Sequence, residues 1–169
     1  MRNLILATSA ALVVAGAASA DVVVSLGSHS LVGGEEMTVD SGVVTGALTG
    51  VSISFDFVSG GSDAWASDLA LVVNGTQFGG YDVLFGTTFG GVWGFNGPGS
   101  ANNGHYSDTK ALAGSAEEYP VTIGNGWSQA PASQYNNVVV TLHGVEAVPA
   151  PGAIALLGLA GFAARRRRA

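Results

Sequence analysis

The sequence predicts an all-β protein, an antiparallel β-sandwich of jelly-roll type, and three observations support this prediction. Apolar and polar residues alternate over short stretches, which is the pattern of half-buried strands. Glycine occupies 26 of the 169 positions, about twice the average usage of roughly 7%, and glycine is unfavourable inside helices. No useful length of the chain has the helical period. Short strands separated by turn-forming residues suit two packed antiparallel sheets.

The clearest strand lies at residues 51–57, where apolar and polar residues fall on opposite faces: Val51, Ile53, Phe55 and Phe57 against Ser52, Ser54 and Asp56. A hairpin is predicted at 68–79, because Asn74-Gly75 favours a two-residue type I′ turn. Pro120 indicates an edge strand or the start of a strand. The other candidate strands are Val22–Leu26, Glu36–Val39, Tyr81–Phe85, Tyr119–Ile123 and Asn137–His143.

The first 20 residues have the features of a secretion signal. Arg2 gives a positive start, residues 4–17 are almost wholly apolar, and Ala18-Ser19-Ala20 is a small-x-small cleavage pattern. The sequence therefore predicts a signal peptide over residues 1–20 and a mature chain that begins at Asp21. The alternative is a retained anchor, but the apolar run is shorter than the roughly 20 residues that span a bilayer.

The last 22 residues have the features of a second targeting segment. Pro149-Ala150-Pro151 precedes the apolar stretch 152–164, which is followed by Arg165, Arg166, Arg167 and Arg168. The apolar stretch predicts a short membrane helix with the arginines on the cytoplasmic side. A basic amphipathic surface helix is the alternative, although the stretch has no polar face. These boundaries leave one domain at residues 21–147 between the signal peptide and a tail at 148–169.

Proline-x-proline, a short apolar helix and a terminal arginine cluster resemble the PEP-CTERM sorting signal of Gram-negative bacteria, with Ala150 in place of the usual glutamate. The resemblance implies an exosortase-type membrane enzyme as partner, transient residence in the inner membrane, and release to the cell surface or an exopolysaccharide matrix. The segments around Trp65, Trp93, His105 and Trp127 also resemble the middle region of small secreted PEP-CTERM proteins. More distantly, the Asp-Leu-x-Leu strand that begins at Asp68 resembles the P-domain of subtilisin-like convertases, which implies an accessory domain without catalytic residues.

Charge excludes one class of partner. Residues 21–147 contain all twelve acidic residues and a single basic residue, Lys110, which gives a net charge of −11 with neutral histidines. Such a domain repels nucleic acid and anionic lipid headgroups. The chain has no cysteine, so disulfides, thiolate metal sites and cysteine nucleophiles are also excluded.

Two kinds of binding site are candidates. Asp63 and Asp68 follow a Ser-Gly-Gly-Ser loop and could supply oxygen ligands to calcium, with Asp56 as a weaker third ligand because it lies within a strand. Solvated loop carboxylates are the alternative, and no cofactor is required. Trp65, Trp93 and Trp127 could stack on a sugar face if they are exposed, or could close the ends of the core if they are buried.

Catalytic chemistry is not predicted. No Gly-x-Ser-x-Gly elbow is present, and His29, His105 and His143 are expected to be surface or capping residues. The leading interpretation is a non-enzymatic, exported structural or binding protein of the cell surface or matrix that contacts exopolysaccharide. A secreted carbohydrate-active hydrolase is the alternative, and binding to ice or a mineral surface is a third hypothesis that lacks the usual threonine arrays.

Overall fold

The computed structural model describes residues 21–82, 86–115 and 118–148, and this part of the chain is all-β. Two single turns of 3-10 helix, Ala66–Asp68 and Pro98–Ala101, are its helical segments. Eight strands are present: β1 Asp21–Leu31, β2 Glu36–Val58, β3 Leu69–Val73, β4 Thr76–Phe78, β5 Thr88–Gly91, β6 Gly104–Gly114, β7 Glu118–Asn125 and β8 Ser133–Ala147. The all-β prediction is therefore confirmed.

The long strand β2 belongs to two sheets. Its first part, up to Val43, pairs with β7, and its second part, from Val44, pairs with β8 and, from Leu48, with β6 on the other side. One sheet therefore has the order β1-β8-β2-β6 and the other the order β2-β7-β3-β4-β5. Gly42 lies at the transition with φ of +75°, a backbone conformation that glycine adopts without the steric penalty of a Cβ atom.

The core takes one face of both sheets. In β2, Val51, Ile53, Phe55 and Phe57 are all buried, as their alternation predicts. They join a single apolar cluster with residues of the second sheet, among them Leu71 and Ile123. Aromatic rings fill part of this core: Phe55 and Tyr135 have ring centroids 5.7 Å apart, and Phe95 and Tyr106 are 5.1 Å apart.

The predicted hairpin is present. β3 and β4 pair antiparallel with Val73 opposite Thr76, and Asn74 and Gly75 both have positive φ, +50° and +69°, as a type I′ turn requires. Pro120 lies near the start of β7, beyond Val121, where the pairing with β3 ends. Its missing N–H is therefore tolerated, and of the two readings given for Pro120 the structure has the strand start.

Two parts of the strand prediction were wrong. Tyr81 and Asp82 lie in a bend outside any strand, and residues 83–85 lie outside the described part of the chain. The next strand is β5, and it runs parallel to β4, whereas the other described pairs are antiparallel. β6 was missed because its inward residues, including Asp108 and Lys110, are only partly buried, so the strand lacks the apolar alternation that marked β2.

Candidate functional site

A shallow, open depression lies between the loop that follows β2 and the loop that follows β7. It has a volume of about 580 Å³ and is lined by Gly61, Ser62, Asp63, Trp127, Gln129 and Pro131. Trp127 is half-buried, whereas Asp63 and Gln129 are exposed. An aromatic face beside a carboxylate and an amide is a combination that binds polar ring ligands, because the indole packs on apolar C–H groups while the polar groups accept and donate hydrogen bonds.

The end of β7 positions Trp127. Asn125 is fully buried, and its side-chain oxygen accepts a hydrogen bond of 3.2 Å from the Trp127 N–H. The Trp127 carbonyl in turn accepts a bond of 2.9 Å from the Ala130 N–H. The backbone therefore turns tightly on both sides of the indole.

Gly126 is needed for this turn. Its N–H donates to the Asp68 carbonyl at 2.7 Å, and its carbonyl accepts from the N–H groups of Tyr81 and Asp82 at 3.0 and 2.7 Å. A Cβ atom at position 126 would lie 2.6 Å from the Gly80 Cα, closer than real contacts allow. The loops that surround Trp127 are thus fixed to one another through this glycine.

The two aspartates predicted as calcium ligands lie in different surroundings. Asp63 is exposed in the depression, whereas Asp68 is buried and its Oδ2 accepts a hydrogen bond of 2.9 Å from the Trp65 N–H. Burial raises the pKa of Asp68 to about 6, and the bond from Trp65 opposes this shift. Among the described residues no group of three or more His, Cys, Asp or Glu side chains is placed to hold a metal ion. Calcium binding stays a prediction.

The third candidate ligand, Asp56, lies on the outer face of β2. Its two oxygens accept hydrogen bonds from Asn137 Nδ2 at 2.9 Å and His105 Nδ1 at 2.8 Å. These two bonds, from Asn137 first and then from His105, lower the pKa of Asp56. The carboxylate is therefore already engaged by side chains of β8 and β6.

The three tryptophans differ in exposure. Trp93 is 1% exposed, its Nε1–H donates to the Leu69 carbonyl at 2.7 Å, and its ring lies 5.9 Å from that of Phe95. A ligand contact for Trp93 is therefore wrong, and the core interpretation holds for this residue. Trp65 is 36% exposed but does not line the depression. Of the three, Trp127 alone combines exposure with neighbouring polar groups in one concave surface.

Two arrangements on the outer face of the first sheet escaped sequence reasoning. His143 lies between Asp21 and Ser52, with Nδ1 2.9 Å from Asp21 Oδ2 and Nε2 2.5 Å from Ser52 Oγ. His105 lies between Asp56 and Ser54 in the same manner, at 2.8 and 3.3 Å. The alternation within β2 placed Ser52, Ser54 and Asp56 on one face, but their partners come from strands whose register the sequence does not reveal. The third histidine, His29, contacts the Leu26 carbonyl at 2.6 Å, in agreement with a capping role.

The predicted targeting residues lie outside the described part of the chain: Ala18, Ala20, Pro149, Pro151, Arg165, Arg166, Arg167 and Arg168. Within residues 21–82, 86–115 and 118–148, no helix has the length and apolar character of a membrane span.

No known protein family, no curated protein and no solved structure gives a significant match to this chain. The functional argument therefore depends on the chain's own sequence and geometry.

Proposed function

We propose that this protein is an exported binding protein of the cell surface or extracellular matrix that contacts exopolysaccharide through the depression around Trp127. The half-exposed indole beside Asp63 and Gln129 carries this proposal. A pyranose ring would place its C–H face on the indole and its hydroxyl groups toward the carboxylate and the amide. The open shape of the depression suits an internal segment of a long polymer, because neither end of the ligand has to be enclosed.

Charge narrows the class of polysaccharide. The depression contains a carboxylate, and Asp82 is close by, accepting from the Ser128 N–H at 3.4 Å. Lys110, the only lysine of the chain, forms an ion pair of 2.9 Å with Asp108 on β6. A domain with a net charge of −11 repels polyanions. The preferred partner is therefore a neutral polysaccharide or one that carries free amino groups.

In this proposal the depression binds the polysaccharide but does not hydrolyse it. Hydrolysis of a glycoside normally requires two carboxyl groups on opposite sides of the bond that is cleaved. Asp63 is the only acidic residue among the described residues that line the depression. This lining favours a binding module over the alternative, a secreted carbohydrate-active hydrolase.

The targeting segments supply the proposed location. A signal peptide over residues 1–20 would direct export through the inner membrane, and the PEP-CTERM-like tail at 148–169 would hold the chain there until an exosortase-type enzyme removed the tail. The domain at 21–147 would then reach the cell surface or matrix.

For its fold we propose the jelly-roll-like sandwich, supported by the two sheets that share β2 and bury one common apolar cluster.

A polysaccharide binding assay tests the proposal. Retention of the protein on insoluble neutral and amino-sugar polymers should exceed retention on a polyuronate, and Trp127→Ala should weaken binding at least tenfold. Phe89→Ala is the matched control, because Phe89 is an exposed aromatic residue on β5 that does not line the depression. Equal loss in both variants, or release of soluble sugar during the assay, would contradict a binding role for the depression.

A further inference from the structure

The outer face of the sheet β1-β8-β2-β6 carries a second chemical site, which shares no residue with the depression around Trp127. Asp21 on β1, His143 on β8, Ser52 on β2 and Thr109 on β6 form one continuous chain of contacts. Asp21 Oδ2 lies 2.9 Å from His143 Nδ1, His143 Nε2 lies 2.5 Å from Ser52 Oγ, and Ser52 Oγ lies 2.7 Å from Thr109 Oγ1. Four strands therefore each contribute one residue to a single row.

The sheet register explains how His143 reaches Ser52. His143 is directly opposite Gly50, and Ser52 is opposite Thr141, so His143 and Ser52 are diagonal neighbours. Gly50 has no side chain, and the imidazole lies beside it: a Cβ atom at position 50 would be in ordinary van der Waals contact with His143 Cδ2, at 3.7 Å. The imidazole can therefore extend over Gly50 toward Ser52.

When Asp21 is ionised and His143 is neutral, the direction of each hydrogen bond follows from these contacts. An ionised carboxylate only accepts, so His143 Nδ1 must carry the proton that faces Asp21, and in neutral imidazole Nε2 is then an acceptor. Ser52 has one hydroxyl proton, which it donates to Nε2, and the contact with Thr109 is then a bond donated by Thr109. Asp21 Oδ1 also accepts from the Gly144 N–H at 3.2 Å, which orients the carboxylate.

From this geometry we propose that Ser52 is an activated nucleophile that accepts acyl groups from esters. His143 is the base that removes the serine proton, and Asp21 is a positioning residue that holds the imidazole in the required tautomer. The absence of a Gly-x-Ser-x-Gly elbow does not bear on this arrangement, because Ser52 lies in the middle of a strand and its base comes from a neighbouring strand.

The reaction balances with water as the second substrate. Ser52 Oγ attacks the ester carbonyl while its proton moves to His143 Nε2, the C–O bond of the ester breaks, and the alcohol leaves with the proton from His143. Water then attacks the acyl-serine carbonyl and gives a proton to His143, the bond between the acyl carbon and Ser52 Oγ breaks, Ser52 Oγ takes the proton back from His143, and the carboxylic acid leaves. β2 is paired on both sides, so its backbone N–H groups are already used in the sheet, and the hydrogen-bond donor to the carbonyl oxygen of the substrate is a side chain. Thr109 is the residue placed to donate this bond, because its hydroxyl can rotate from Ser52 to the substrate.

The surroundings indicate the class of ester. Neighbouring outward residues of the described strands are small, among them Ser54 and Ser107, which are opposite each other in the sheet. The site therefore suits a small acyl group, such as acetyl, on an alcohol that can be a small molecule or a residue of a polymer lying along the sheet.

The second arrangement, Asp56–His105–Ser54, is an internal comparison. Its serine-to-histidine distance is 3.3 Å against 2.5 Å, and its histidine is 61% exposed against 29% for His143. A longer contact and greater screening by water both weaken proton transfer. Ser52 should therefore react faster than Ser54, although the two residues are on the same face of the same strand.

A fluorophosphonate probe with peptide mapping, together with p-nitrophenyl acetate hydrolysis, tests the proposal on the full chain. We expect the probe on Ser52, no labelling at that position in Ser52→Ala, and at least 100-fold slower labelling of Ser52 in His143→Gln. Ser54→Ala is the matched control and should change both rates less than twofold. Thermal melts of every variant separate chemistry from folding.

Asp21 provides a second, independent test if His143→Gln does not fold. Asp21→Asn should slow the labelling of Ser52 at least tenfold and Asp21→Glu should restore part of the rate, whereas a purely structural role predicts equal rates in folded variants. Absence of label on Ser52, or equal labelling of Ser52 and Ser54, would overturn the proposal. The depression around Trp127 is not involved, so failure here leaves polysaccharide binding unaffected, and the reverse also holds.

Discussion

The buried carboxylate of Asp68 accepts a hydrogen bond of 2.9 Å from the backbone N–H of Trp65 and so closes the turn Ala66–Asp68. The same burial raises the pKa of Asp68 from 3.8 to about 6. The carboxyl group of Asp68 therefore binds its proton more tightly in the folded protein than in the unfolded chain. The resulting contribution to stability is fully present below pH 3.8 and is lost as the pH rises through about 6.

Asp68→Asn should therefore stabilise the protein at pH 7.5 by about 1–3 kcal/mol, because asparagine keeps an acceptor for the Trp65 N–H and removes the desolvated charge. At pH 4 this benefit should be largely absent. Urea unfolding at the two pH values measures the difference. The exposed Asp63→Asn variant controls for the loss of one negative charge, and an equal gain at both pH values in Asp68→Asn would contradict the assigned cause.

Trp93→Phe should destabilise the protein by about 1–3 kcal/mol. Phenylalanine retains aromatic packing near Phe78 and Phe95 but leaves the buried Leu69 carbonyl without the bond from Nε1–H. Trp65→Phe is the control, because Trp65 is partly exposed, and its cost should be below about 0.5 kcal/mol. Equal costs in chemical denaturation would show that the indole hydrogen bond contributes nothing measurable.

Gly126→Ala should lower stability by about 1–3 kcal/mol and shift the fluorescence of Trp127, since the added methyl group would press on Gly80. Gly99→Ala is the matched control, because a Cβ atom at position 99 meets nothing within 4 Å. Each of the two variants adds a single methyl group to the parent chain. If both unfold at the same temperature as the parent chain, the close approach of the two loops is not a constraint.

Calcium, if it binds through Asp63 and Asp68, should raise the melting temperature in proportion to the logarithm of its concentration above the dissociation constant. Asp63→Asn should remove this effect and leave the melting temperature in chelator unchanged. Zinc should not substitute, because the candidate ligands are carboxylates. A melting temperature that is indifferent to calcium, or a calcium effect that persists in Asp63→Asn, would eliminate this site.

Replacing Arg165, Arg166, Arg167 and Arg168 with asparagine should leave export intact but impair membrane retention and tail processing. If helical, the 13 apolar residues at 152–164 would reach only about 20 Å, short of a hydrocarbon core of about 30 Å, so the arginines would be needed to fix the orientation. Cell fractionation and intact-mass measurement report both effects. Recovery of the released parent protein with its C-terminus still at Ala169 would refute processing.

A part of the fold could be predicted from the sequence where the pattern that indicates it lies within one short segment. The alternation over residues 51–57 identified a half-buried strand, and Asn74-Gly75 identified the hairpin of β3 and β4, because side-chain periodicity and turn conformation depend on neighbours in sequence. β6 gave no such signal. It is an edge strand whose inward residues remain partly exposed, so its sequence was not under the same requirement for apolar residues.

The candidate sites show the same division. Trp127, Asp63 and Asp68 were selected by residue type, but only the tertiary structure separated an exposed Asp63 from a buried Asp68 and placed Trp93 in the core. The chain's composition and local patterns thus determined its charge and its strand-rich character, and they predict its terminal signals. The contact between Asp21, His143 and Ser52 was decided by strand register across separations of 91 and 122 residues, because pairing depends on the packing of the whole sheet and leaves no mark on any short segment.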